Sequence, residues 1–181
     1  MLLYNYSSAT AEGLHKAEEQ ANAIFQEVGV EVIWVENTVL DSGPDAPTLK
    51  EMDVILRVLS QPRASLPSRT ALGEALPCGS GREGCIASVF FDRVKRMADR
   101  TGISVYQVLG HAMAHELGHL LLGSNSHSGR GLMRASWNNQ DAQRAAKGDL
   151  LFTSKEAEAI AQKVSARIQE RESLQNLASQ R

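Results

Sequence analysis

The sequence predicts an α+β fold built as a single domain, and three observations carry that expectation. Short β-like runs over 30–35, 52–59 and 86–91 are interleaved with helical patterns in the first half. A long apolar helical run follows over 104–123, and from 137 onward the chain reads as helix and polar connection only. With 181 residues, 43% of them hydrophobic, the chain is long enough for one domain with a substantial core.

The elements follow in order. Leu14, Ala17, Ala21, Ile24 and Val28 recur at helical spacing, and Gly29 separates them from the strand-like run 30–35. The stretch 41–50, rich in Pro, Gly and Asp, reads as a loop before 52–59, where Val54, Leu56 and Val58 alternate with Ile55, Arg57 and Leu59. Two prolines mark 61–70 as another loop, 86–91 as the third strand, and Val94, Met97 and Ala98 as a short helix ending near Gly102. Ser104 is positioned as N-cap of the apolar run and Gly123 as its stop. After a polar stretch over 137–148 with a short helix, Thr153 and Glu156 form a capping-box pair, and Ala157, Ile160, Ala161, Val164 and Ile168 give the helix that follows its apolar face. From Glu170 the composition turns polar and fraying is expected.

The chemistry concentrates in His115, Glu116, Leu117, Gly118 and His119. At about 100° of turn and 1.5 Å of rise per residue, His115 and His119 lie one turn apart on one helix face, where both imidazoles reach a single metal ion. Glu116 is rotated off that face and is placed to act as a general base beside the metal. Polar side chains inside an apolar helix are costly unless they are used, which favours a metal site over ordinary core. A hydrolytic zinc site takes three protein ligands. His127, the only histidine after His119, sits in a small-residue loop over 123–129 and is the expected third ligand. The competitors are Asp141, Asp149 and Glu156 from later segments, and His111, whose place one turn before His115 puts it too far along the helix to ligate.

These residues resemble the metzincin clan of zinc metallopeptidases, whose pattern is H-E-x-x-H-x-x-G-x-x-H followed by a tight turn carrying a methionine. Gly131, Leu132 and Met133 supply the methionine-turn likeness, which with the histidines spans roughly 105 to 137. The chain departs from the pattern in spacing: Gly123 comes four residues after His119 instead of three, and His127 eight after instead of six. Ala135 stands where some clan members carry an extra tyrosine ligand. The resemblance implies a metzincin-like single domain. Its upper part, about 1–123, would hold the sheet and active-site helix. The lower part, about 124–170, would hold the third ligand, the methionine turn and the C-terminal helix, with 171–181 frayed. It also implies a zinc-dependent endopeptidase with one catalytic Zn²⁺ on His115, His119 and His127 and with Glu116 as general base, and it offers 86–91 as the antiparallel border strand that binds substrate, with plain core packing of that strand as the equal alternative. The alternatives are a zinc hydrolase with an acidic third ligand and a non-catalytic zinc-stabilised peptide-binding module. A purely structural zinc site is disfavoured, since such sites are closed and richer in cysteine.

Composition limits the partners. A net charge of -2 with scattered signs argues against nucleic acid or a membrane surface, and Arg93, Lys95 and Arg96 read as a solvated face; a peptide or protein substrate is what the resemblance implies. No run is apolar enough to span a bilayer, and the first three residues are too few for a signal peptide. Cys78 and Cys85 bracket a glycine-rich loop that a disulfide could close. A bridge would imply an oxidising, secreted or extracytoplasmic setting, and two free thiols are the equal alternative.

Overall fold

The computed structural model describes residues 1–37, 54–62, 70–76, 85–123 and 125–179. Strands β1 (Leu2–Tyr6), β2 (Val35–Asn37), β3 (Val54–Leu59), β4 (Gly73–Leu76) and β5 (Cys85–Phe90) form one mixed sheet in the order β2-β1-β3-β5-β4. All neighbours are parallel except β4, which runs antiparallel to β5 at the sheet edge. Helices α1 (Ala11–Gln26), α2 (Phe91–Thr101), α3 (Val105–Leu122), α4 (Asn139–Ala146) and α5 (Ser154–Ser179) complete the described residues, so the class is α+β.

Register explains how the sheet supports α3. Leu3, Leu56, Ala87 and Ala75 are directly opposite one another across four strands, so their side chains share a face; Val58, Val89 and Gly73 form the next row on that face. These rows merge with Ala17, Ala21 and Ile24 of α1 and Val108, Leu109, Ala112 and Met113 of α3 into one core. Helix α3 is buried on all sides from Val108 to Leu120, as expected of a helix that is apolar around its circumference. It crosses α1 closely at Gly110, where a Cβ would come within 2.6 Å of the Ala17 carbonyl oxygen.

Several expectations are corrected. The strand expected over 30–35 is confined to Val35–Asn37, because residues 31–34 pair with no strand and only the segment beside β1 is held by a ladder. Leu2–Tyr6, which the sequence reading left unassigned, form β1, an inner strand paired with β2 and β3. The border-strand role assigned to 86–91 fails: β5 lies inside the sheet between β3 and β4, and Phe91 already begins α2. β4, which the sequence reading left unassigned, holds the edge instead. α5 extends past Glu170 to Ser179 through residues that are mostly good helix formers.

Other elements agree. Gly102 ends α2 in the left-handed region (φ 70°), and Thr153 and Glu156 make their capping box, with the Thr153 N–H donating to Glu156 Oε2 at 2.7 Å. Ser104 is the N-cap of α3 by position but its hydroxyl makes no capping bond. Arg93 does not lie on a solvated face: it donates to the Ala71 carbonyl at 2.5 Å and stacks over Phe90, tying α2 to the segment that leads into β4. Lys163 and Arg167 of α5 donate to the Leu122 and Leu120 carbonyls at 3.4 and 3.3 Å, placing positive charge at the C-terminus of α3. The loop 41–50, most of the loop 61–70 and Cys78 lie outside the described residues. Cys85 is disulfide-bonded, and Cys78 is the only other cysteine in the chain.

Candidate metal centre

The structure brings the three expected histidines together. His119 Nε2 lies 3.1 Å from His115 Nε2 and 3.1 Å from His127 Nε2, and the candidate ligand atoms all fall within 4.8 Å of one another. Two nitrogens each about 2.0–2.1 Å from a tetrahedral ion stand about 3.3–3.4 Å apart, close to this spacing. Three histidines at these distances could hold a metal ion.

Their surroundings set which ring nitrogen carries the proton. His115 Nδ1 lies 2.8 Å from the Leu132 carbonyl, which only accepts, so Nδ1–H donates and Nε2 keeps its lone pair. His119 Nδ1 lies 2.9 Å from Ser126 Oγ, whose own proton goes to the Gly123 carbonyl at 2.6 Å. The serine oxygen therefore accepts from His119, and that Nε2 also keeps its lone pair. Lone pairs pointed at one another repel unless a cation lies between them, so the donor set fits a metal. Burial, the largest cause, holds the His115 imidazole down at about 4 and lowers His119 as well, keeping both neutral and able to ligate at ordinary pH.

The altered spacing has a local explanation. α3 runs to Leu122, and Gly123 then turns the chain at φ 107°, a conformation that disfavours any side chain. Ser126 Oγ bridges Gly123 and His119 across the extended loop, and the Ser128 N–H donates to the Met133 carbonyl at 2.9 Å beyond it. His127 is thus returned to the helix between two anchored residues. Replacing Ser126 by Ala is expected to weaken metal binding by about 10–100-fold, the usual cost of losing a partner that orients a ligand, with the fold intact by circular dichroism. Competition against a chromophoric chelator measures it, and unchanged affinity would show that the hydroxyl orients nothing.

Beneath the histidines, Leu132 and Met133 are fully buried. Met133 lies against Gly118, where a Cβ would stand 2.6 Å from its sulfur, so the glycine inside the motif admits the methionine under the turn that joins the two ligands. Trp137 donates its indole N–H to the Leu132 carbonyl at 3.0 Å and meets the edges of His115 and His111, with centroids 5.9 and 6.3 Å away. One carbonyl therefore fixes both a ligand and the aromatic wall beside it.

The competitors for the third position are used elsewhere. Asp141 Oδ2 takes the Asn138 N–H at 2.9 Å and Arg134 at 3.1 Å, and Glu156 caps α5; Asp149 is exposed and outside the cluster. His111 is fully buried, its Nδ1–H donates to the Gln107 carbonyl at 2.8 Å, and it does not join the other three.

Glu116 lines the same cavity of about 520 Å³ as the three histidines. Burial pushes its carboxyl up to about 8, and the negative charge of Glu74 adds to the rise. A dication at the histidines would act in the opposite sense by favouring the carboxylate. Gly73 of β4 presses on this side chain: a Cβ there would run into the Ser88 carbonyl oxygen and stand 2.6 Å from Glu116 Cγ. Ser126, Trp137, Gly73 and Glu74 were not singled out from the sequence. The first is only a hydroxyl beside a histidine, and the others acquire meaning through packing. Sequence comparison finds no matching protein-family model and no matching curated protein.

Proposed function

We propose that the chain is a metzincin-like zinc-dependent endopeptidase. The observation that carries the reading is the convergence of three imidazole Nε2 atoms in one cavity with a buried carboxylate outside the cluster. Three ligands are the protein's share of a catalytic zinc site and leave a coordination position free, whereas structural sites are closed. A zinc ion held there supplies Lewis acidity and lowers the pKa of water to about 7. His115, His119 and His127 bind and orient the metal. Glu116 takes the proton from the attacking water and delivers it to the departing amine, a role that its place beside the ligand face and out of bulk solvent suits.

β4 supplies the substrate rail. Among the described residues it stands at one edge of the sheet, runs antiparallel to β5, and lines the cavity from Gly73 to Ala75 with Thr70, Ala71 and Leu72 before it. An extended peptide adding to such an edge gains main-chain hydrogen bonds while its scissile carbonyl faces the histidines. Ala135 lines the cavity where the extra tyrosine of some clan members would be, so the site works without that group. The disulfide at Cys85 suits an oxidising compartment.

The test is a peptide library incubated with the zinc-loaded protein and read by mass spectrometry. Cleavage inside the peptides, lost on chelation and restored by zinc, is expected. Intact peptides in the presence of about one zinc per chain would overturn the endopeptidase reading, and peptides retained without cleavage would assign a binding module instead.

A further inference from the structure

We infer that the cavity selects a carboxylate on its substrate, with Arg100 and Arg134 as the groups that receive it. The inference rests on the peptidase reading above and names the substrate class of that site. The cavity lining carries charges of both signs: Glu74 of β4 and the buried Glu116, and Arg100 from the last turn of α2 and Arg134 from the segment after the methionine turn. Met97, Ala112 and Trp137 add apolar surface to the same lining.

The two cations are held differently. Arg134 Nη1 is tethered at 3.1 Å to Asp141, whose side chain is only 6% exposed and which also closes the capping box of α4. That tether fixes the guanidinium while leaving further N–H donors of its five for a ligand. Arg100 forms no ion pair with the described residues, and it lines the same cavity. A substrate residue lying across Met97 and Trp137 with a carboxylate at its tip would meet one positioned and one free guanidinium, the geometry in which charge-assisted hydrogen bonds are strongest. A lysine side chain there would meet two like charges. Glu74, also in the lining, repels a carboxylate near it, so the preference belongs to one substrate position. The carboxylate has two sources: an Asp or Glu side chain, or the free C-terminus of a short peptide.

The experiment compares kcat/KM for end-blocked peptides that carry Asp against Asn, or Glu against Gln, at each position flanking the scissile bond. A second arm compares peptides without acidic side chains that end in a free or an amidated C-terminus. One position in the first arm, or the free C-terminus in the second, is expected to be preferred by roughly fivefold to tenfold, and the preference is expected to shrink with added salt. Arg100→Gln is expected to remove it through KM with zinc content unchanged, and Arg100→Lys to keep part of it. Equal rates in both arms, or a preference untouched by Arg100→Gln, overturn the inference while leaving the peptidase reading intact. If no peptide is cut, the same pairs are titrated calorimetrically onto the zinc-loaded protein. Tighter binding of the anionic member that Arg100→Gln abolishes keeps the inference without the peptidase, and equal or absent binding sinks it.

Discussion

Glu116→Gln is expected to lower peptide cleavage by about 10²–10⁴-fold, the range attributed to a positioned general acid–base group, while the protein still takes up about one zinc per chain. The amide is close to isosteric with the carboxylate, so it fits against Gly73 without new contacts, and it removes only the capacity to accept a proton. Burial disfavours the charged form of Glu116, so a neutral amide costs the fold little. The separation of effects is the point of the experiment: metal content, melting temperature and peptide affinity stay near wild type while turnover falls. Cleavage retained at the wild-type rate, with zinc confirmed by elemental analysis, would remove Glu116 from the mechanism.

His127→Ala is the second large effect. Loss of a direct ligand is expected to weaken zinc binding by more than the roughly 10–100-fold of the Ser126 change. His115 and His119 are held by α3 whether or not metal is present, but two imidazoles do not make a tight site, and the third comes from a loop that only Ser126, Ser128 and the methionine turn anchor. Zinc at about a thousand times its dissociation constant stabilises a wild-type site by about 4 kcal/mol, which a thermal melt resolves easily. In His127→Ala that zinc-induced rise in Tm is expected to shrink or vanish at the same zinc concentration. Unchanged affinity would move the third ligand to another residue.

The parts that were legible in the sequence are those whose geometry is local. His115 and His119 face one way because of the helical repeat alone, and Glu116 is off that face for the same reason. Gly102 and the Thr153–Glu156 pair are terminal signals that operate within one turn, and they appear as expected. The third histidine was legible by order along the chain, yet its path was not, because the extra loop residues are absorbed by a serine bridge that no spacing rule contains.

β4 shows the opposite case. Gly73, Glu74 and Ala75 are poor strand formers, so nothing in their own preference marks an edge strand; pairing with β5 makes them one. β1 was hidden because five residues are too few for a periodic signal, although its partners bury it in the sheet. Arg93 looked like one charge among several on a polar helix face until the segment before β4 came within reach of its guanidinium.

By itself, then, the sequence determined the α+β class, the pair of helical histidines, the candidate base and the third histidine that joins them, since short-range helix geometry and chain order suffice for these. Tertiary structure alone decided which strand borders the cavity, which nitrogens face inward, and that Glu74, Arg100 and Arg134 line the same site. Those features depend on contacts between residues distant in the chain, where the position of one side chain is set by the packing of another.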